Sequence, residues 1–320
     1  MHTFSAEEMA HAQAVLNSVR SLWLQRPGVT AIDLGFKWSK GEMTGKLAIR
    51  VHVERKRPLE ELDEDERFPE EIDGVPVDVI EATYGVQLLP EQEQLEAAVD
   101  NRNQRFEEIP LGVSIGSPNV TAGTLGAKVF DADTGDELIL SNWHVMAGAP
   151  NVSQGLAIWQ PGRADGGNSA DTFATLERWV LGPYDAAVAR LTGERPVLTT
   201  TVEGDAIEDA AKPQLGMQVW KSGRTTGRTM GFIDGVMMTV PINYGAAGVQ
   251  PIHDVFRIVP LPDAGNVEIS LGGDSGSVWV DAESGKGVGL HFAGEVGNAP
   301  EHALAMDMVK VKEFLHIEFP

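Results

Sequence analysis

The chain has 320 residues, with 25 Lys and Arg against 47 Asp and Glu and a formal net charge of −22 at pH 7. Its size allows roughly two domains of about 100–200 residues each, and its charge has the wrong sign for a surface that tracks phosphates, so no nucleic-acid partner is expected. It has no cysteine, which excludes a disulfide framework, a thiolate nucleophile and Cys-ligated zinc. No apolar run approaches the ~18–20 residues of a membrane span. The opening stretch places Glu7 and Glu8 before its first Arg, Arg20, with no continuous apolar core. Neither a secretory signal nor membrane association is expected, and the expected location is cytoplasmic.

In chain order, Ser5 to Glu8 reads S-x-x-E, a capping box that starts a helix. Met9, Ala12, Leu16, Val19 and Trp23 then make one apolar stripe, which Pro27-Gly28 stops. Alternating segments around Val29 to Trp38 and Lys46 to Val53 predict a hairpin. From Glu54 to Asp73 ten acidic and four basic residues with two prolines read as a solvated connection, after which Val75 to Ile80 reads as a strand. The polar stretch 90–110 suggests a boundary, so residues 1–110 are expected to form a small α/β domain.

Beyond residue 110 the texture changes to short apolar or alternating runs separated by Gly, Pro, Asn and Asp. They are Ala127 to Phe130, Leu138 to Leu140, Ala186 to Leu191, Gln218 to Lys221, Val236 to Val240 and Gly287 to Phe292. That pattern predicts an all-β barrel or sandwich. Met308, Val311, Phe314 and Leu315 fall at helical spacing and predict a C-terminal helix over about 306–317.

The segment Gly272-Gly273-Asp274-Ser275-Gly276-Ser277 surrounds one Ser with glycines. Small residues let a carbonyl approach, and a tight glycine turn can aim the amides of Gly273 and Ser275 at one point, as an oxyanion hole requires. A serine nucleophile needs a base. His144 follows the apolar run Leu138 to Leu140, and Asp185 opens another, an orderly place for the carboxylate that orients an imidazole. The base must be neutral to act, so activity should fall as the pH drops through the ordinary histidine range, about 6.5.

The motifs SNWHV, YDAAVARL and GGDSGSVW, in this order and spacing, resemble those of the chymotrypsin-like serine proteases. Lys221-Ser222-Gly223-Arg224-Thr225-Thr226-Gly227, followed by Gly231, resembles the matching strand and turn of alpha-lytic protease and its bacterial relatives. The chain departs from them in having Met230 and no cysteine where those proteins carry a disulfide-bonded one. The resemblance covers 111–320 and implies an all-β fold of two six-stranded antiparallel barrels, about 111–205 and 206–305, with the site between them. It implies a His144, Asp185, Ser275 triad, and a structural role for Asp274 that in the family often involves a freed N-terminus. No cofactor is implied. The other histidines, His2, His11, His52, His253, His302 and His316, form no H-E-x-x-H cluster, and no metal is expected.

The same resemblance implies a specificity pocket built by Ile269, Ser270 and Leu271 and by the strand through His291, Phe292, Ala293 and Gly294. Ile269 offers no carboxylate for Lys or Arg. The pattern G-x-H-x-x-G at Gly289 to Gly294, with Ser270 upstream, resembles glutamate-specific bacterial endopeptidases, so His291 and Ser270 are expected to read Glu or Gln. Glu295 nearby and the net negative charge weigh against an acidic side chain. The backbone of Phe292 to Gly294 is expected to pair with an extended polypeptide substrate. Two alternatives stay open: a silent or autoinhibited protease fold that binds peptides, closed by residues 1–110, and an α/β-hydrolase, whose order of Ser, acid and His fits poorly. Glu107-Glu108 is a further candidate, as a self-processing site.

Overall fold

The computed structural model describes residues 4–39, 42–64, 66–87, 101–261, 268–296 and 302–320. Its first element is the helix Ala6–Trp23, opened by the expected capping box. The Ser5 hydroxyl accepts the Glu8 N–H at 3.1 Å, and the Glu8 carboxylate accepts the Ser5 N–H at 2.7 Å. The helix buries Ala12, Val15, Leu16 and Trp23 against a sheet, each large apolar side chain contributing about 1.5–3 kcal/mol. It ends at Trp23, short of Pro27, and the Trp23 ring packs edge-on against Phe68 at 5.0 Å.

The strands Val29–Ser39 and Glu42–Val53 form the expected hairpin, and Val75–Glu81 joins the second of them in parallel. This N-terminal layer continues into the rest of the molecule. Val29–Ser39 pairs with the 17-residue strand Gly227–Asn243, Ile32 opposite Thr239 and Gly35 opposite Gly235. The alternating sequence of the hairpin predicts one wet face. Instead, Ala31 to Phe36 are buried without a break, because the helix covers one face and a charged network fills the other.

Gly227–Asn243 also belongs to a ring of six antiparallel strands. Its order is Gln218–Gly223, Val278–Asp281, Gly287–Glu295, Ala303–Asp307, Val249–Pro260 and Gly227–Asn243, which pairs back to the first. A second six-stranded sheet runs Ala157–Trp159, Thr172–Leu181, Asp185–Leu191, Glu137–Ser141, Ala127–Asp131 and Ile317–Glu318. Its last strand comes from the C-terminus. The C-terminal helix spans Met308–Leu315, because Met306 and Asp307 complete a strand first. Asp307 then caps the helix, accepting the Val309 N–H at 2.8 Å.

Of the polar stretch 90–110, residues 88–100 lie outside the described residues. Residues 101–110 are anchored. Buried Arg102 donates to Gly112 O at 3.2 Å and Ser222 Oγ at 2.6 Å and pairs with Glu203.

Candidate active site

His144 lies just past the end of Glu137–Ser141, in the single helical turn Trp143–Met146. That turn is pinned to the opening of Asp185–Leu191. Asn142 Nδ2 donates to Asp185 O at 2.8 Å, the His144 amide donates to Asp185 Oδ1 at 3.1 Å, and His144 Nδ1 bonds Asp185 Oδ2 at 2.5 Å. A carboxylate only accepts, so Nδ1 carries the proton and Nε2 presents a lone pair. Both residues are buried, Asp185 completely. Tyr244, which the sequence did not single out, sets its ring 6.3 Å from that of His144. Burial, with the Asp185 carboxylate nearby, pushes its phenol well above the ordinary range.

Ser275 stands in a turn held from three sides. Gly273 and Gly276 take φ of 95° and 97°, a left-handed backbone that suits glycine. A Cβ on Gly276 would lie 2.1 Å from Ser141 Oγ, three residues before His144. Thr124 braces the turn: its amide donates to Ser275 O and its hydroxyl to Gly273 O, both at 2.8 Å. No sequence signal pointed to Thr124. Asp274 is tied to the KSGRTTG segment, accepting from Lys221 Nζ at 3.2 Å, Thr225 N at 2.8 Å, Thr226 N at 3.1 Å and Thr226 Oγ1 at 2.7 Å. Burial opposes its charge, but Lys221 and these hydrogen bonds outweigh it and hold the carboxyl below its usual range. Lys221 therefore supplies the positive charge that faces the buried Asp274 carboxylate.

In this conformation the Ser275 hydroxyl donates to Phe292 O at 3.4 Å. His144 Nε2 is buried without a hydrogen-bond partner among the described residues. No hydrogen bond joins the two in this conformation. Such bonds commonly tighten only when substrate is bound.

Ser275 is only 1% exposed, and a segment of the same chain lies along the strand and turn next to it. Tyr84–Val86 pairs antiparallel with Gly287–Glu295, placing Val86 opposite Ala293, Gly85 opposite Gly294 and Tyr84 opposite Glu295. Gln87 follows. Its carbonyl accepts the Gly273 N–H at 3.3 Å, and its side-chain Oε1 lies 3.2 Å from His291 Nε2. A Cβ on Gly294 would fall 2.1 Å from the Gln87 amide nitrogen, so Gly294 leaves the room that side chain fills. Burial, and secondarily the charge of Lys221, push the His291 imidazole down to about 3.

Of the expected pocket residues, His291 and Gly294 contact Gln87, Ala293 pairs with the strand, and Phe292 offers its carbonyl to Ser275. Ser270 Oγ is buried with no partner among the described residues. Ile269 belongs to the hydrophobic cluster that includes Trp279 and Phe256, and Leu271 donates its amide to Asp274 at 3.0 Å. Glu295 is bonded to His302. Glu107 pairs with Arg105, and the chain there leads into Ile109–Leu111, which pairs with Val197–Thr201, away from Gly287–Glu295.

The two six-stranded antiparallel arrays belong to a fold shared with chymotrypsin-like bacterial serine proteases. Thermobifida fusca protease A superposes with a TM-score of 0.50 at 17% identity, over 66% of this chain and 98% of that one. Nocardiopsis protease gives 0.49 at 19%, over 66% and 98%. A glutamic acid-specific serine protease, described as using a histidine triad in substrate binding, gives 0.49 at 19%, over 66% and 99%. At these identities the likeness is one of fold. No family model and no curated protein matches the sequence.

Proposed function

We propose that the protein is a serine endopeptidase in which Ser275 attacks, His144 is the base and Asp185 orients it. His144 takes the Ser275 proton as the hydroxyl oxygen adds to the scissile carbonyl, and the amides of Gly273 and Ser275 hold the oxyanion. His144 passes the proton to the leaving amine, and water then resolves the ester with His144 again as base. The observation that carries this reading is the buried contact of His144 Nδ1 with Asp185 Oδ2 beside a braced glycine turn bearing Ser275.

The same reading assigns the pocket to Gln before Glu. His291 is neutral at physiological pH, and Lys221 is neutralised by Asp274, so the pocket offers a hydrogen-bond donor without net charge. An amide is satisfied there, whereas a buried carboxylate lacks a cation. The filled cleft favours one second reading, a protease fold held permanently closed.

The test is cleavage of a peptide library by Gln87→Lys, in which an ammonium cannot settle beside His291 and Lys221, with Gln87→Lys/Ser275→Ala as control. Cuts after Gln that vanish in the control support the proposal. No cutting by a folded Gln87→Lys protein would favour the closed reading, and cutting that survives loss of Ser275 would overturn the assignment.

A further inference from the structure

A cavity of about 410 Å³ lies where the helix Ala6–Trp23, the strands Gly227–Asn243 and Val249–Pro260, the loop before Gln218 and the start of the helix Met308–Leu315 meet. That is the size of a small-molecule site, which spans roughly 300–1,000 Å³. Its lining shares no residue with the cleft around Ser275. Part of it is apolar, from Phe4, Met9 and Leu215, and part is charged, from Lys212, Asp254 and Asp307.

Two ring strands are deformed beside it. Their pairing slips on either side of Met238, and next to these slips Met237 and Asp254 take φ of 56° and 51°, a left-handed backbone uncommon outside glycine. Such irregularities re-aim side chains, and both residues line the cavity. Arg20 Nη2 donates to Met237 O at 3.0 Å, fastening the N-terminal helix to the deformed stretch.

The charges around the cavity are uncompensated. Asp254 accepts the Tyr184 hydroxyl at 2.6 Å and Asp307 the Val309 N–H at 2.8 Å, but among the described residues neither carboxylate, nor exposed Lys212, forms an ion pair. Two anions and a cation around a partly apolar space match a ligand that carries an ammonium, a carboxylate and a hydrocarbon side chain. We propose that this cavity binds a free amino acid with a large apolar side chain, its ammonium held by Asp254 and Asp307, its carboxylate by Lys212, and its side chain against Phe4, Met9 and Leu215. The site goes beyond the endopeptidase reading and does not rest on it.

Binding should depend on pH with a definite sign. Burial raises the Asp307 carboxyl to about 6, against the amides of Val309 and Lys310; among the charges near it, Asp254 adds to the rise and Lys212 opposes it. Lys310 is taken up by Glu313 at 2.8 Å, and burial keeps the Tyr184 phenol neutral. An ammonium favours the charged form of Asp307, so affinity falls as the pH drops through this range, by about tenfold from pH 7.5 to 5. The amino acid itself is a zwitterion at both values.

The experiment is isothermal titration of the full-length protein with L-phenylalanine, and with phenethylamine and 3-phenylpropionate, which each carry one of its two charges. It is run on wild type, Asp307→Asn and Lys212→Met, with thermal unfolding to show that each is folded. The proposal expects phenylalanine to bind about tenfold tighter than either probe, and about tenfold weaker at pH 5 than at 7.5. It expects Asp307→Asn to weaken binding and remove the pH dependence, and Lys212→Met, which changes only an exposed side chain, to reduce phenylalanine to the level of phenethylamine. No binding at millimolar phenylalanine, phenethylamine binding as tightly as phenylalanine, or affinity unchanged in both folded variants overturns the proposal.

Discussion

Replacing Arg50 by Leu tests how the N-terminal hairpin is fastened to the barrel. Arg50 donates Nε to Asp33 Oδ1 and Nη1 to Asp234 Oδ2, both at 2.8 Å, and pairs its Nη2 with Asp33. Arg257 donates to Asp234 at 2.9 and 2.5 Å. All four side chains are buried, and their two positive and two negative charges cancel. A Cβ on Gly235 would fall 1.7 Å from Arg50 Nη2, so glycine there admits the guanidinium. Without Arg50, Asp234 keeps Arg257, and among the described residues Asp33 is left with His52 at 3.3 Å.

Breaking such a buried pair by removing one partner costs about 3–5 kcal/mol, and that is the loss expected at pH 7.5 in urea unfolding followed by tryptophan fluorescence. The sign with pH can be worked out. In the wild type, burial would raise the Asp33 carboxyl, but Arg50 and His52 overcome it and hold the group down at about 2. Its contribution is thus present above about 4 and lost as the pH falls from about 4 to 2. In the variant burial dominates, the folded carboxyl rises above its unfolded value, and protonation favours the folded state. The deficit should therefore shrink by on the order of 1–2 kcal/mol between pH 7.5 and 5, and Asp33→Asn/Arg50→Leu should regain part of it at pH 7.5. An equal deficit at both pH values, or one under about 1 kcal/mol at pH 7.5, would refute this reasoning.

Other consequences are as direct. Asp185→Asn should leave the fold intact and lower kcat on the order of 10⁴-fold, because the imidazole loses its tautomer; a loss below tenfold in steady-state peptide assays would contradict the role. Raising the pH should favour Gln over Glu peptides and lowering it should narrow the gap, since a bound carboxylate draws a proton onto His291; a pH-independent ratio of kcat/KM would count against that pocket. Burial raises Asp307 to about 6, against an ordinary value of 3.8. The wild type should lose stability as the pH rises from about 4 to 6, and Asp307→Asn, which can still cap the helix, should flatten that slope in thermal unfolding. Lys221→Met strands the buried Asp274 and should cost about 3–5 kcal/mol and lower kcat more than it changes KM.

The candidate nucleophile, base and acid were legible because each sits in a short run whose composition serves the chemistry: glycines around Ser275, apolar strands before His144 and after Asp185. Three of the six ring strands were legible too, as the apolar runs Gln218 to Lys221, Val236 to Val240 and Gly287 to Phe292, whereas Val249–Pro260, Val278–Asp281 and Ala303–Asp307 were not read as strands. Far less could be read where the cause is nonlocal. Asp33, Arg50 and His52 look like the polar face of an alternating hairpin, and only its pairing with Gly227–Asn243 and the arrival of Asp234 and Arg257 turn that face inward. Thr124 is an unremarked threonine until the Ser275 turn folds over it. Tyr84 to Gln87 is too short to show any period, and its meaning comes from an edge more than two hundred residues away. Lys221 was in view as part of a motif, but its charge gained a purpose only when Asp274 was found beside it.

The most direct measurement is fluorophosphonate labelling of Gln87→Lys, with the modified peptide mapped by mass spectrometry and Ser275→Ala and His144→Ala made in the same background. A serine activated by His144 predicts one adduct, on Ser275, absent from both double variants. A folded protein that takes no label at Ser275, or takes it equally without His144, would contradict the account.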